Sequence, residues 1–358
     1  MPIVDLYGHE QLRERLAESI RAGTLPASLL LQGPRGVGKQ RLALWLAQRL
    51  LCTGGGANPP CGSCTSCRYV AELTHPDLHW IFPRPRLKDS DPDLEQVRDD
   101  YAEAIAERST ERGLYAPPSG SEGIFVATVR SLVQRAAIAP AIAKRKVFII
   151  GDAERMVPQE GADMAANAFL KLLEEPPANT TIILTSSEPG ALLPTIRSRV
   201  VVVRVPLVQD KAVREFVENP VVKKALDRNA RASAAERVRV AAGAPGRLLS
   251  GETDARATIN ARRLVDAATG MHPSQIHAAA LAQGSMGARG LFADTLDALV
   301  ELLGERARDA LHRKDLSAAA SAARAVDAVL NAQTYASGNV SPQLIASKLI
   351  RELSVTLR

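Results

Sequence analysis

The stretch SLLLQGPRGVGKQ, from Ser28 to Gln40, constrains the fold more than any other part of the chain. A short apolar run leads into Gly33, Pro34, Arg35, Gly36, Val37, Gly38 and Lys39, and a helical pattern begins near Gly38. Glycines let successive backbone N–H groups converge on a phosphate, and a lysine at the head of the following helix reaches its terminal oxygens. Strand, phosphate loop and helix in this order predict a parallel sheet with helices on both faces and ligands at the carboxyl ends of the strands. The pattern is G-x-x-x-x-G-K, but Gln40 stands where a serine or threonine hydroxyl would hold Mg²⁺. Glutamine offers a carbonyl oxygen on a longer arm, a poor substitute in near-octahedral Mg²⁺ coordination. Gly33, Gly36, Gly38 and Lys39 are thus the candidate cofactor-binding residues of a degenerate loop, whose occupancy by ATP the sequence leaves open.

The regular pattern continues on both sides of this loop. Residues 9 to 22 read as an amphipathic helix, Ile124 to Gln134 as a strand opening into a helix, and Lys146 to Ile150 as an apolar strand. Ala162 to Glu174 reads as a helix, and Thr181 to Ser186 and Val200 to Val205 read as strands. The span from Arg84 to Ser121 is charged and contains prolines around a possible helix at Leu94 to Arg108, so it reads as a surface insertion rather than core. From Gln209 onward no convincing strand remains, and Ala, Leu and Arg dominate at helical spacing, including the Ala-rich run from Leu316 to Ala332. Turn residues Gly243, Pro245 and Gly246 and a break near Gly251 divide this part. The expected organisation is an α/β domain over 1–207, a small helical lid over 208–252 and an all-α domain over 253–358.

All four cysteines fall between Cys52 and Cys67, spaced C-x₈-C-x₂-C-x₂-C. Two successive x₂ spacings with small residues between them let thiolates converge on one ion, and four sulfurs suit tetrahedral Zn²⁺. Cys52, Cys61, Cys64 and Cys67 are the candidate ligands of a closed, structural zinc site, with an iron–sulfur cluster or free thiols as the alternatives. His75 lies nearby, but four cysteines already complete the shell. Clustered thiols also favour a reducing compartment. With neither a basic leader before an apolar run nor a stretch of some 18 uninterrupted apolar residues, the expectation is a cytoplasmic protein with no membrane partner.

The strand at Lys146 to Ile150 ends in Gly151, Asp152, Ala153 and Glu154. Hydrolysis needs one carboxylate for the metal shell and another to polarise water, and Gly151 interrupts the adjacent pair that would supply both. Asp152 reads equally as a metal-shell remnant or a solvated turn and cap. The turn Leu193-Pro194-Thr195-Ile196-Arg197-Ser198-Arg199 precedes a strand, and a guanidinium held there could reach a neighbouring subunit's nucleotide or simply form a solvated face. A net charge of +6 suits a polyanionic partner, yet the chain carries no helix-turn-helix and no paired histidines beside its cysteines.

Taken in order, LLLQGPRGVGK (Leu29–Lys39), the cysteine module with His75-Pro76-Asp77, NAFLKLLEEPP (Asn167–Pro177) and LPTIRSR (Leu193–Arg199) resemble bacterial clamp-loader subunits of the AAA+ superfamily. The resemblance covers roughly residues 1 to 250 and implies an AAA+ P-loop domain with an inserted zinc module, a helical lid and a helical collar. Gln40, Gly151 and Gly246, the last at the position of the lid's sensor arginine, set the chain apart from the family's motor subunits and make it similar to the delta-prime branch. That resemblance implies a non-motor subunit whose Arg199 acts catalytically in trans on a neighbour's ATP. It also implies a hetero-oligomer with gamma/tau and delta subunits, which places a sliding clamp on primed DNA within the DNA polymerase III holoenzyme. The family element is Ser-Arg-Cys, and here Val200 replaces the cysteine. No polymerase carboxylate constellation is present, so a DNA-directed DNA polymerase or nucleotidyltransferase activity would belong to the complex. The alternative is a self-sufficient gamma/tau-like ATPase that keeps slow hydrolysis through Lys39, Gln40 and Asp152.

Overall fold

The computed structural model describes residues 2–54, 59–89, 92–118, 122–156, 163–227, 232–249, 252–270, 273–284, 289–336 and 340–357. The chain divides into two compact units, one of residues 1–117 with 123–249, the other of 250–358 with 118–122.

The first unit is built on a five-stranded, wholly parallel sheet: β1 (Ser28–Gln32), β2 (Leu78–Ile81), β3 (Lys146–Ile150), β4 (Thr180–Ser186) and β5 (Val201–Arg204), in the order β2-β3-β4-β1-β5. Alternate residues of each strand point to opposite faces, so one apolar strand feeds two cores. Leu29, Leu31, Val147, Ile149 and Ile183 meet α1 (Glu10–Arg21) and α2 (Lys39–Leu51) on one face. Leu30, Phe148, Ile150, Ile182 and Leu184 meet α5 (Val126–Ala136), α6 (Asp163–Glu174) and the short α7 (Pro194–Arg197) on the other.

Between these lie α3 (Thr65–Ala71) and α4 (Leu94–Thr110). The strand that follows α3, β2, carries no signal in LHWI that separates it from a loop, because His79 interrupts the apolar run; its pairing with β3 makes it a strand. The strand expected at Ile124 reduces to isolated bridges, Arg84 to Gly123 and Ile124 to Met156, since α5 already begins at Val126. The predicted surface insertion is corrected more deeply. Asp93 and Gln96 form a capping box that starts α4, and Ala104 with the flanking Tyr101, Ile105 and Tyr115 packs into the same core as α2. Except for Asp100 and Arg108, its charged residues fill the outer faces of the helix, and that outer charge is what the composition records. Ala162, Ser121 and Gly251 lie outside the described residues.

A helical segment follows, α8 (Asp210–Glu218), α9 (Pro220–Asp227), α10 (Ala234–Ala241) and a 3₁₀ turn at Pro245–Leu249, with a core of Val213, Phe216, Val217, Val222 and Val238 that also takes in Val4. The second unit holds α11 (Glu252–Thr269), α12 (Pro273–Leu281), α13 (Arg289–His312), α14 (Leu316–Ala336) and α15 (Pro342–Thr356) around a core of its own. The Ala-rich run is α14, whose Ala325, Val329 and Ala332 face that core at helical spacing. Among the described residues no helix is long and apolar enough to cross a membrane.

Candidate nucleotide-type site and cysteine cluster

Gly36 and Gly38 take positive φ (78° and 96°), the conformations that glycine alone adopts without strain and that turn the loop onto the first turn of α2. Gly33 passes so close to the Val205 carbonyl that any Cβ there would overlap it. Lys39 does not point into open space. It is 5% exposed, and its ammonium donates to the carbonyls of Gly33 (2.9 Å) and Pro34 (2.8 Å) and to Ser187 Oγ (2.8 Å) at the end of β4. Burial pulls its pKa down to about 8 against the opposing influence of Asp152 and Glu154.

The 3₁₀ turn at Pro245–Leu249 packs against the loop from the other side. The Gly246 N–H donates to the Gly36 carbonyl at 2.8 Å, and a Cβ on Gly246 would sit 2.8 Å from that same oxygen. Glycine at 246 is therefore required by the approach of two backbones, and Arg247 lies one residue beyond it.

Gln40 occupies the position of the missing hydroxyl. Its Nε2 donates to Asp152 Oδ2 at 2.9 Å, while its Oε1 accepts from Trp80 Nε1 at 3.0 Å and from the Tyr115 hydroxyl at 3.3 Å. Asp152 is a residue of positive φ whose backbone N–H donates to Thr185 Oγ1, which aims its carboxylate at Gln40. Burial first, and then the Asp152 carboxylate, push the Glu154 pKa up, and Glu154 Oε1 accepts from the Ser187 N–H at 2.9 Å. The loop, Gln40, Asp152 and Glu154 thus come together at the carboxyl end of β3, with Glu154 a second carboxylate that the sequence reading left out. Trp80, Tyr115 and Arg108 complete the cluster and were not predicted: Arg108 Cζ stands 3.8 Å over the Tyr115 ring and 4.5 Å over Trp80. Two aromatics near prolines are the only trace of this in the sequence.

Arg199 lies apart, at the end of α7. Glu174 of α6 pairs with its guanidinium, and its Nη1 donates to the Thr195 carbonyl at 2.8 Å. The LEEPP and LPTIRSR motifs are therefore one structural element, held half-exposed.

The four cysteines converge. Their sulfurs lie within 4.8 Å of one another, with Cys52 to Cys64 and Cys61 to Cys67 both at 4.0 Å. Zn–S bonds of about 2.3 Å in a tetrahedron put sulfurs about 3.8 Å apart, so the set fits one zinc-sized ion. Backbone N–H groups of Cys61, Cys64 and Cys67 donate to the sulfurs of Cys52, Cys61 and Cys64 respectively, and the Cys64 thiol caps α3. The Cys64 N–H leads the groups that draw the Cys61 pKa down. At Cys64 burial opposes ionisation, but hydrogen bonds from Cys67 and Thr53 outweigh it and bring the thiol to about 5. Burial pushes Cys67 up. His75 stays out of the cluster, with Nδ1 accepting from the Asp77 N–H at 3.0 Å. Asp77 in turn accepts from the N–H groups of Ala141, Ile142 and Ala143, which fixes the loop before β3.

Residues 8–209 match the family model described as DNA polymerase III, delta subunit. A DNA polymerase III subunit delta' of Pseudomonas aeruginosa is 35% identical over 178 residues, 50% of this chain and 42% of that one. The Bacillus subtilis subunit delta' is 30% identical over 200 residues, covering 56% and 48%. A DNA polymerase III subunit gamma/tau of Mycobacterium tuberculosis is 33% identical over 195 residues, covering 54% and 27%. The chain spans less than half the length of each of these relatives.

Proposed function

The chain belongs to the DNA polymerase III, delta subunit family, and from that premise we propose that it is a non-motor clamp-loader subunit of the delta-prime type. In this reading it assembles with gamma/tau and delta subunits, and the assembly opens a sliding clamp and places it on primed DNA. One observation carries the choice against a motor. The position between loop and β3 where a motor holds Mg²⁺ contains the Gln40 amide, hydrogen-bonded to Asp152. An amide there neutralises none of the charge on a transferring phosphoryl group.

Arg199 would act outward. Glu174 and the Thr195 carbonyl hold its planar guanidinium on a short helix, from which it can offer two parallel hydrogen bonds to a neighbour's phosphate. Its exchange of Glu174 for phosphate on docking is inexpensive, because an exposed ion pair contributes little by itself. Residues 1–207, 208–252 and 253–358 serve in this reading as nucleotide-type domain, lid and collar. Cys52, Cys61, Cys64 and Cys67 would hold zinc in a closed shell that leaves no position for substrate, so the ion braces α3 against the end of α2 and takes no part in chemistry.

The test is ATP turnover by the zinc-replete protein alone and then mixed with a motor subunit from the same source. The expected result is no turnover alone, and turnover in the mixture that falls on the order of 10³-fold in Arg199→Ala. Turnover by the chain alone that disappears in Lys39→Ala would establish a motor instead.

A further inference from the structure

We infer that residues 84–89 and 92–117 form a resident plug, which locks the Gln40 amide into the metal position of the degenerate site and keeps Mg²⁺-nucleotide out. The inference deepens the reading of a non-motor subunit by naming what holds the site shut.

The segment is fastened along its length. Near its start, Arg84 makes a two-point pair with Asp100 of α4, Nε to Oδ2 at 3.0 Å and Nη2 to Oδ1 at 2.7 Å. Midway, the Tyr101 hydroxyl donates to the Phe82 carbonyl at 2.7 Å. After α4, Gly113 at φ 71° passes so close to Arg41 that a Cβ would lie 2.8 Å from its Nη1, and the Arg112 carbonyl accepts from the Val4 N–H at 2.8 Å. These ties deliver Tyr115 to Gln40. With Trp80 it saturates Oε1, so the amide can turn only its N–H groups toward Asp152, and the metal position becomes a donor facing a carboxylate. Arg108, stacked on Trp80 and Tyr115 and in electrostatic contact with Asp152, supplies fixed positive charge to the cluster. Substitution at Gln40 and Gly151 removes the amide but leaves Tyr115 and Arg108 packed over the position, so it would not suffice to reopen the site.

The test uses the full zinc-replete chain alone, so its outcome is independent of whether Arg199 acts on a partner. Binding of a fluorescent N-methylanthraniloyl ATP is measured with and without Mg²⁺ for wild type, for Gln40→Thr with Gly151→Asp, and for that pair combined with Tyr115→Ala. The expected result is no Mg²⁺-dependent binding by wild type and at least tenfold tighter Mg²⁺-dependent binding by the triple variant than by the double. Equal binding by the double and triple variants overturns the plug, as does a triple variant with wild-type melting and zinc content that binds no better than wild type. A second measurement needs no change near the site. In Trp45→Phe, the emission of Trp80 stays constant as MgATP is added, and amides of 111–115 exchange as slowly as those of β3. A saturable Mg²⁺-dependent change at Trp80, or fast exchange of those amides, overturns the inference.

Discussion

A side chain at position 151 would collide with the Gln40 amide, whose Oε1, Cδ and Nε2 lie 2.5 to 2.7 Å from where its Cβ would be. The longer residue at 40 and the missing one at 151 thus compensate each other, and the two departures from a hydrolytic site are a single packing solution. Gly151→Ala alone is expected to lower stability by about 1–3 kcal/mol through overpacking. Gln40→Ser in the same chain should recover most of that loss, a non-additivity read by denaturant midpoints of the two single variants and the double. Asp77 gives a pH signature. Burial tends to raise its pKa, but the N–H groups of Ala141, Ala143 and Ile142 outweigh this and hold it below the ordinary value. A carboxylate depressed in the folded state adds stability that is full above its unfolded pKa, about 3.9, and fades as pH falls toward the folded value. Urea midpoints should therefore drop between pH 5 and 3 in wild type, and by less in Asp77→Asn, which starts about 1–3 kcal/mol less stable at pH 7. Gln40 and Gly151 are legible in the sequence as departures from a motif, since the motif fixes the residue type at each place. Their contact is not legible, because it joins residues from α2 and β3 that only the sheet brings together.

Among the elements, β1, β3, β4 and α2 were plain because continuous apolar runs bounded by turn residues leave few alternatives. β2 was hidden by its length and by His79, and α4 was visible as a helix but misplaced on the surface. Its buried face is too narrow to show in a charged sequence: only Val97 and Ala104 are fully buried within it. The cysteine cluster was legible because its ligand spacing lies almost entirely within one short loop. With the proposed zinc bound, α3 would be the element most dependent on something outside the polypeptide, since a seven-residue helix does not form alone. Chelation, or Cys64→Ser, is expected to release one zinc per chain. It should also expose the α3 amides to rapid hydrogen exchange while those of β3 and β4 stay protected. Mass-spectrometric exchange with a colorimetric zinc assay reads both.

At the scale of the molecule, the two units have separate cores, and residues 250–358 bury Leu264, Leu296, Leu303, Val329, Leu349 and Leu353 without help from the sheet. A fragment of residues 250–358 is expected to fold cooperatively by itself, which a single sigmoidal thermal transition in circular dichroism would show. The sheet has the opposite character. Its inner strand, β1, is made early, yet Ser28 pairs with Ile182 and Leu29 with Val201, so both of its neighbours come from far along the chain. At about 5–20 residues per second on the ribosome, Leu29, Leu30 and Leu31 wait roughly ten seconds or more before β4 and β5 emerge to flank them. Until then three leucines and two open rows of backbone hydrogen-bonding groups are exposed to anything that will pair with them. Nascent chains stalled between Gln32 and Thr180 are the ones a cell must shield, and premature termination in that interval should yield aggregates rather than a soluble fragment.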